Sequence, residues 1–132
     1  MTLDPPAELV TPVNRAVLAH LAEKSAHSDI AEVLTRAVKP LGDVQIFCPD
    51  WHSYRYVVVS TRGVVFGFAL GMETVAFRLG DAMKQRALVT GGIAYPACGD
   101  DWVAVCHGGQ DSDWPAVDTP FWVRQAYIHA RQ

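Results

Sequence analysis

The segment after the first predicted strand brings acidic, imidazole and phenol side chains together. Asp50, His52 and Tyr54 fall within five residues. A carboxylate, an imidazole and a phenol this close are suited to general acid–base chemistry, because histidine titrates near neutral pH. Pro49 followed by Asp50 is also a common turn pair, and turn chemistry accounts for the same residue types. We therefore predict a turn first, and we take Asp50 and His52, with His107 elsewhere in the chain, as the candidate catalytic residues.

The three cysteines are the other reactive side chains. Cys48, Cys98 and Cys106 are odd in number and unevenly spaced, so they do not form a disulfide framework. Cys98, Cys106 and His107 are metal-ligand types, but seven residues separate the two cysteines and no Cys-x-x-Cys motif occurs. We predict no metal site and no cofactor. Inert buried thiols are favoured over a cysteine–histidine nucleophile pair.

Several aromatic residues flank predicted loops, where binding surfaces are common. Trp114 stands in a polar stretch without periodic apolar neighbours, so it is either an exposed contact residue or a lid over the core. Trp51 lies in the predicted turn, and Trp122 lies in the last predicted helix. These three tryptophans, with Arg78 on a predicted strand, are the candidate binding residues.

Helices are predicted at both ends of the chain. Thr11–Pro12 and Thr119–Pro120 are helix-start signals, because proline is favoured at the first helical position. Apolar residues at spacings of three and four continue through 30–38. The segment that starts at Thr11–Pro12 and the segment 30–38 form either two helices or one bent helix. The predicted break between them is 24–28.

Between the helices the apolar period changes to two, which is typical of strands. The predicted strands are 44–48, 54–60, 64–70, 72–79 and 101–106, with a short helix from position 81 inserted before the last. Their short links favour an antiparallel meander. In the third strand, Val64, Phe66 and Phe68 are predicted to share one face. The opposite face, with Gly67 and Ala69, is small enough for a partner to lie against it, and we take it as the contact surface.

The order of elements predicts one α+β domain spanning 1–132, with 1–11 as an N-terminal extension. The expected architecture is an antiparallel β-meander of about five strands with N-terminal helices, a short inserted helix and a C-terminal helix packed on it, in two layers. The chain has 132 residues, half of them hydrophobic, which is sufficient for a sizeable core.

Charge and hydropathy limit the partners and the compartment. The formal net charge is −3, and the 11 basic residues are scattered among 14 acidic ones, so we do not expect a nucleic-acid surface. No apolar run approaches the roughly 20 residues needed to span a bilayer, and the N-terminus has no basic signal region. We expect a soluble cytoplasmic protein without membrane contact. Its predicted partner is a second copy, another protein or a small-molecule ligand.

Five stretches occur in an order shared with a known group of small domains. They are Val64 to Phe68, Val75 to Leu79, Asp81 to Leu88, Asp101 to Val103 and Trp122 to Arg131. In this order the chain resembles the YjbR/TfoX-like group from Leu34 onward, although 107–118 and the additional N-terminal helix depart from it. The resemblance implies a curved meander between helices. It also implies a DNA-associated regulator as one alternative, because some members are tied to DNA-uptake regulation, and this rests on fold analogy alone.

Taken together, these sequence features favour a binding or interaction domain that forms homo-oligomers and has no catalytic chemistry. The alternative is a small hydrolase or isomerase that uses Asp50, His52 and His107. That alternative requires the three side chains to converge within hydrogen-bond reach in a concave pocket.

Overall fold

Four helices and six strands make up the part of the chain that the structure, a computed structural model, describes: residues 3–53, 55–106 and 119–132. The helices are α1 (Arg15–Leu21), α2 (Ser28–Val38), α3 (Asp81–Val89) and α4 (Thr119–Ala130). The strands are β1 (Gln45–Phe47), β2 (Val57–Thr61), β3 (Val64–Leu70), β4 (Thr74–Arg78), β5 (Ile93–Ala94) and β6 (Trp102–Cys106). Short 3-10 helices occur at Ala7–Leu9, Pro12–Asn14 and Pro96–Cys98.

The strands form one antiparallel sheet in the order β1-β2-β3-β4-β6-β5. The predicted α+β class and its meander are confirmed. Arg62 and Gly63 alone join β2 to β3, and both have positive φ, which matches the twist of a tight hairpin. β5 is additional to the five predicted strands. Ile93 and Ala94 pair with β6, but two residues are too few to show a period in the sequence.

A β-bulge at Phe66 corrects the predicted faces of β3. Val59 pairs with Gly67 and Ser60 pairs with Val65, so Phe66 is an additional residue without a partner on β2. The bulge turns Phe66 away from Phe68 and toward the opposite face of the sheet. The prediction that both phenylalanines share a face was therefore wrong.

Helices cover both faces of the sheet, so the domain has three layers instead of the predicted two. One face, here the α2 face, is buried by α2, α3 and α4 and contains Val59 and Phe66. The other, the α1 face, is buried by α1 and the 3-10 helices and contains Val58 and Phe68. Each strand in the centre of the sheet is thus apolar on both sides, and β2 is buried along its whole length.

The predicted contact surface around Gly67 and Ala69 lies inside the domain. Both residues are buried on the α2 face. A Cβ atom added at Gly67 would lie 3.2 Å from the Val59 Cγ2 atom and 3.7 Å from the Leu34 Cδ1 atom. The small residues of this face accommodate the chain's own helix α2, not a partner.

The segment 24–28 separates α1 from α2, which are two helices. Ser25 forms a β-bridge with Arg55, and Ala26 forms one with Gly71. These bridges fix the start of α2 beside the sheet. The His27 side chain then caps α2 by accepting a hydrogen bond from the Asp29 backbone N–H in the first turn.

Candidate functional site

A small pocket lies between the first half of α2 and the segment that joins β1 to β2. It encloses about 170 Å³. Its apolar lining consists of Ala26, Ala31, Cys48, Trp51 and Val57, and its polar lining of Ser28, Glu32, Thr35 and Arg55. We name it the Trp51 pocket. Ala26 and Ala31, before and on α2, have small side chains that leave this space open.

The turn after β1 places Trp51 at the rim of this pocket. The Asp50 Oδ1 atom accepts a hydrogen bond of 2.9 Å from the His52 backbone N–H, and the Ser53 N–H donates to the Asp50 carbonyl. The hydrogen bond from His52, with a second from the Ser53 side chain, lowers the pKa of the Asp50 carboxyl. The Trp51 side chain projects from this turn and is 56% exposed. A large, rigid aromatic side chain half open to solvent is characteristic of binding sites.

Arg55 lines the pocket and has an unused hydrogen-bond donor. Its Nη2 atom donates to the Ala22 carbonyl over 2.5 Å, which ties the guanidinium to the end of α1. Its Nε atom is buried and has no hydrogen-bond partner among the residues that the structure describes. A buried N–H without an acceptor is costly, so an acceptor on a bound molecule would be stabilised here.

A second, more open depression continues from the Trp51 pocket along α2. It has a volume of about 460 Å³ and shares Glu32 and Thr35 with the pocket. Its remaining lining is Arg36, Val38, Lys39, Leu41, Val44 and Ile46. The Glu32 carboxylate forms an ion pair with Arg36 one helical turn away. The two cavities are adjacent along α2, and we name them together the α2 groove.

Two of the three predicted catalytic residues have a described position. Asp50 and His52 lie in the exposed turn described above, where Asp50 serves as a hydrogen-bond acceptor for the backbone. His107 lies outside the described residues, as does Trp114. The part of the chain with assigned positions contains no group of three or more His, Cys, Asp or Glu side chains that could hold a metal ion.

Two predicted binding residues are in the interior. Trp122 on α4 is 4% exposed and belongs to the core of the α2 face. Arg78 on β4 is 8% exposed and donates to backbone carbonyls of β3 and of the N-terminal segment. Their burial gives both a structural role. Of the predicted binding residues with a described position, only Trp51 is exposed.

Burial suppresses the reactivity of two thiols. It raises the pKa of the Cys48 thiol, and it raises the pKa of the Cys98 thiol to about 11 against the opposing charge of Arg78. With such a pKa, only about 0.1% of Cys98 is thiolate at pH 8. Neither cysteine is thus prepared for nucleophilic attack.

We expect iodoacetamide at pH 8 to leave Cys98 unmodified in the folded protein and to modify it fully in urea. Peptide mass mapping measures the modification of each cysteine separately. The urea sample shows that the reagent is active. Modification of Cys98 at the rate of a free cysteine in the folded protein would show that it is accessible and ionised.

A histidine–tyrosine pair on the α1 face was not predicted. The His20 Nε2 atom and the Tyr95 hydroxyl are 2.7 Å apart, and α1 and the segment before β6 bring them together. Burial, with the charge of Lys24, lowers the pKa of His20, and burial raises the pKa of Tyr95. Because 75 residues separate the two, no local pattern indicates the pair.

The chain was compared with family models, curated proteins and solved structures. No protein-family model, curated protein or solved structure matches this chain. Among the described helices, none has the length and apolar composition that crossing a membrane requires.

Proposed function

We propose that this protein is a non-catalytic binding domain whose ligand places an apolar group in the Trp51 pocket. The observation that carries the proposal is the half-exposed Trp51 at the rim of a preformed apolar pocket, one of whose lining residues, Arg55, has a hydrogen-bond donor without a described partner. Pockets of this kind, mostly apolar with a few oriented polar groups, are the usual sites of ligand recognition.

The size and chemistry of the pocket limit what it can hold. A volume of about 170 Å³ accommodates a single side chain or a small ring, not a drug-sized molecule. The apolar walls favour an aliphatic or aromatic group. The Arg55 N–H favours an oxygen acceptor, such as a carbonyl or carboxylate, next to that group.

The test is a titration of the whole chain with a library of small aryl and alkyl carboxylic acids and amides. Two-dimensional ¹H–¹⁵N NMR follows the backbone and the Trp51 indole N–H, whose signal is assigned by its loss in Trp51→Phe. We expect shifts confined to Trp51, Arg55 and the first half of α2. Trp51→Ala should weaken binding of the best fragment at least about tenfold, because large aromatic contact residues often dominate a binding energy.

Filling the pocket gives the matched variant pair. Ala31→Met adds a flexible side chain inside the pocket and should abolish fragment binding. Ala82→Met places the same side chain on an exposed position of α3 and should leave binding unchanged. Equal effects of the two variants, or shifts on another surface, would contradict the proposal.

The alternatives from the sequence stay predictions. A hydrolase or isomerase would need the Asp50 and His52 side chains to converge with His107, which lies outside the described residues. A DNA-associated role rests on the resemblance to the YjbR/TfoX-like group, and a gel-shift measurement at low salt tests it, because phosphate contacts are strongest there. Homo-oligomer formation is tested by native mass spectrometry of the whole chain.

A further inference from the structure

The strand that borders the α2 groove is an edge strand among the residues with a described position. β1 is the first strand of the sheet, and β2 is its one described strand partner. Among the described residues, the nearest additional backbone pairing is the Leu3 N–H to the Pro49 carbonyl, beyond the end of β1. In an antiparallel pair, alternate residues direct their N–H and C=O groups away from the partner strand. The outer side of β1 therefore presents hydrogen-bonding groups that an added strand would use.

The side chains of β1 alternate in a way that joins this edge to the groove. Ile46 pairs with Val59, whose side chain lies on the α2 face. Val44, Ile46 and Cys48 follow one another at period two, and all three line the groove. Ile46 is 43% exposed although it is apolar. A strand added to β1 would thus direct every second side chain into the groove between β1 and α2.

The length of the groove suits a short extended segment. The eleven residues of α2 span about 16 Å, since a helix rises about 1.5 Å per residue. About five residues of extended chain cover that distance. Such a segment would place one side chain in the Trp51 pocket at one end and reach Lys39 at the other.

The charge of the groove selects the kind of segment. Its charged lining consists of Glu32, Arg36, Lys39 and Arg55, and Glu32 is paired with Arg36. Neither Lys39 nor Arg55 has a carboxylate partner among the described residues. One unbalanced positive charge therefore lies at each end of the groove, and an acidic segment complements both.

We propose that the α2 groove binds an extended acidic peptide of a partner protein by strand addition to β1, with one apolar side chain of that peptide in the Trp51 pocket. This inference rests on the proposed binding function and specifies its ligand. The backbone pairing supplies affinity independent of sequence, whereas the pocket and the two basic residues supply specificity.

The experiment begins with selection of phage-displayed random octapeptides on the whole chain. We expect the selected peptides to share one large apolar residue flanked by Asp or Glu. A synthetic selected peptide is then N-methylated at one backbone position at a time, which removes one N–H and leaves every side chain intact. Methylation at alternate positions should raise Kd at least about tenfold, and methylation at the positions between should leave it nearly unchanged.

Two matched variant pairs locate the peptide on the protein. Ile46→Thr should weaken binding severalfold, and Ile93→Thr, at an exposed isoleucine of the opposite edge strand, should not. Lys39→Gln should weaken binding and reduce its dependence on salt, whereas Lys24→Gln should do neither. Threonine keeps the β-branched shape, so both strand variants are expected to fold.

Failure of this inference differs from failure of the proposed function. Fragments that bind the Trp51 pocket without selection of any peptide, or a peptide whose N-methylation shows no alternation, overturn strand addition alone. If sedimentation shows a dimer that Ile46→Thr dissociates, a second copy occupies the groove and the peptide proposal is wrong. Absence of both fragment and peptide binding overturns both proposals.

Discussion

Replacing Arg78 with methionine should reduce the free energy of unfolding by about 4 kcal/mol, because loss of the buried guanidinium leaves several hydrogen-bond acceptors without a donor. The Nε atom donates to the Val65 carbonyl over 3.0 Å, and the Nη2 atom donates to the Val13 carbonyl over 3.0 Å. The Nη1 atom is 3.3 Å from the Asp101 Oδ2 atom, and the guanidinium lies 5.1 Å from the ring centroid of Trp102.

These contacts join three parts of the chain that are distant in sequence. Arg78 on β4 holds β3, the N-terminal segment and the turn before β6 together. Methionine fills a similar volume but supplies no donor, so the buried Val65 carbonyl and the partly buried Val13 carbonyl lose their partner. The ion pair contributes less than the two carbonyl bonds, because the Asp101 side chain is 37% exposed.

Urea unfolding followed by tryptophan fluorescence measures the change. Arg62→Met, at an exposed arginine in the β2–β3 turn, is the matched control and should alter stability by less than about 0.5 kcal/mol. A loss below about 1 kcal/mol for Arg78→Met would mean that water replaces the guanidinium, and that the residue is not the structural connection described here.

Replacing Asn14 with alanine should reduce the free energy of unfolding by about 3 kcal/mol, because three backbone groups, two in buried hydrogen bonds and one in a partly buried one, lose their partner at once. The Nδ2 atom donates to the carbonyls of Leu9 and Gly63, each over 2.8 Å, and the Oδ1 atom accepts from the Val65 N–H over 2.9 Å. The Asn14 side chain is fully buried. It therefore fixes the N-terminal segment to the β2–β3 hairpin.

The same segment provides the control for this second prediction. Val13→Ala truncates the exposed neighbouring side chain and should change stability by less than about 0.5 kcal/mol. Hydrogen exchange adds a positional readout, since Asn14→Ala should expose the Val65 N–H before the remainder of β3. Unchanged protection of that N–H in the variant would refute the role assigned to Asn14.

The local patterns predicted the elements well, and their physical basis explains why. Apolar spacing of three and four, with proline at helix starts, depends on the backbone of one segment alone. Short links between period-two segments allow little besides antiparallel pairing. The α+β class, the meander and the helices at both ends follow from such rules, as does the turn at Asp50.

The site was predicted only in part. Trp51 was among the predicted binding residues because an aromatic in a polar turn is exposed by local geometry. Ala26, Ala31 and Arg55 complete the pocket around it, and nothing in the local sequence distinguishes those alanines from core residues. Residues 26 and 55 meet because two β-bridges hold the start of α2 against the sheet, which is a tertiary event.

The sequence by itself determined the four helices, five of the six strands, and the pairing of β1 to β4 in chain order, because these depend on interactions among near neighbours. Only the tertiary structure decided which faces are covered. The bulge at Phe66 changed the alternation of β3, and α1 and α2 came to lie on opposite sides of the sheet. The same packing buried Arg78 and Trp122 and left Trp51 and the edge of β1 exposed. Burial depends on contacts with distant parts of the chain, so a local sequence pattern cannot predict it.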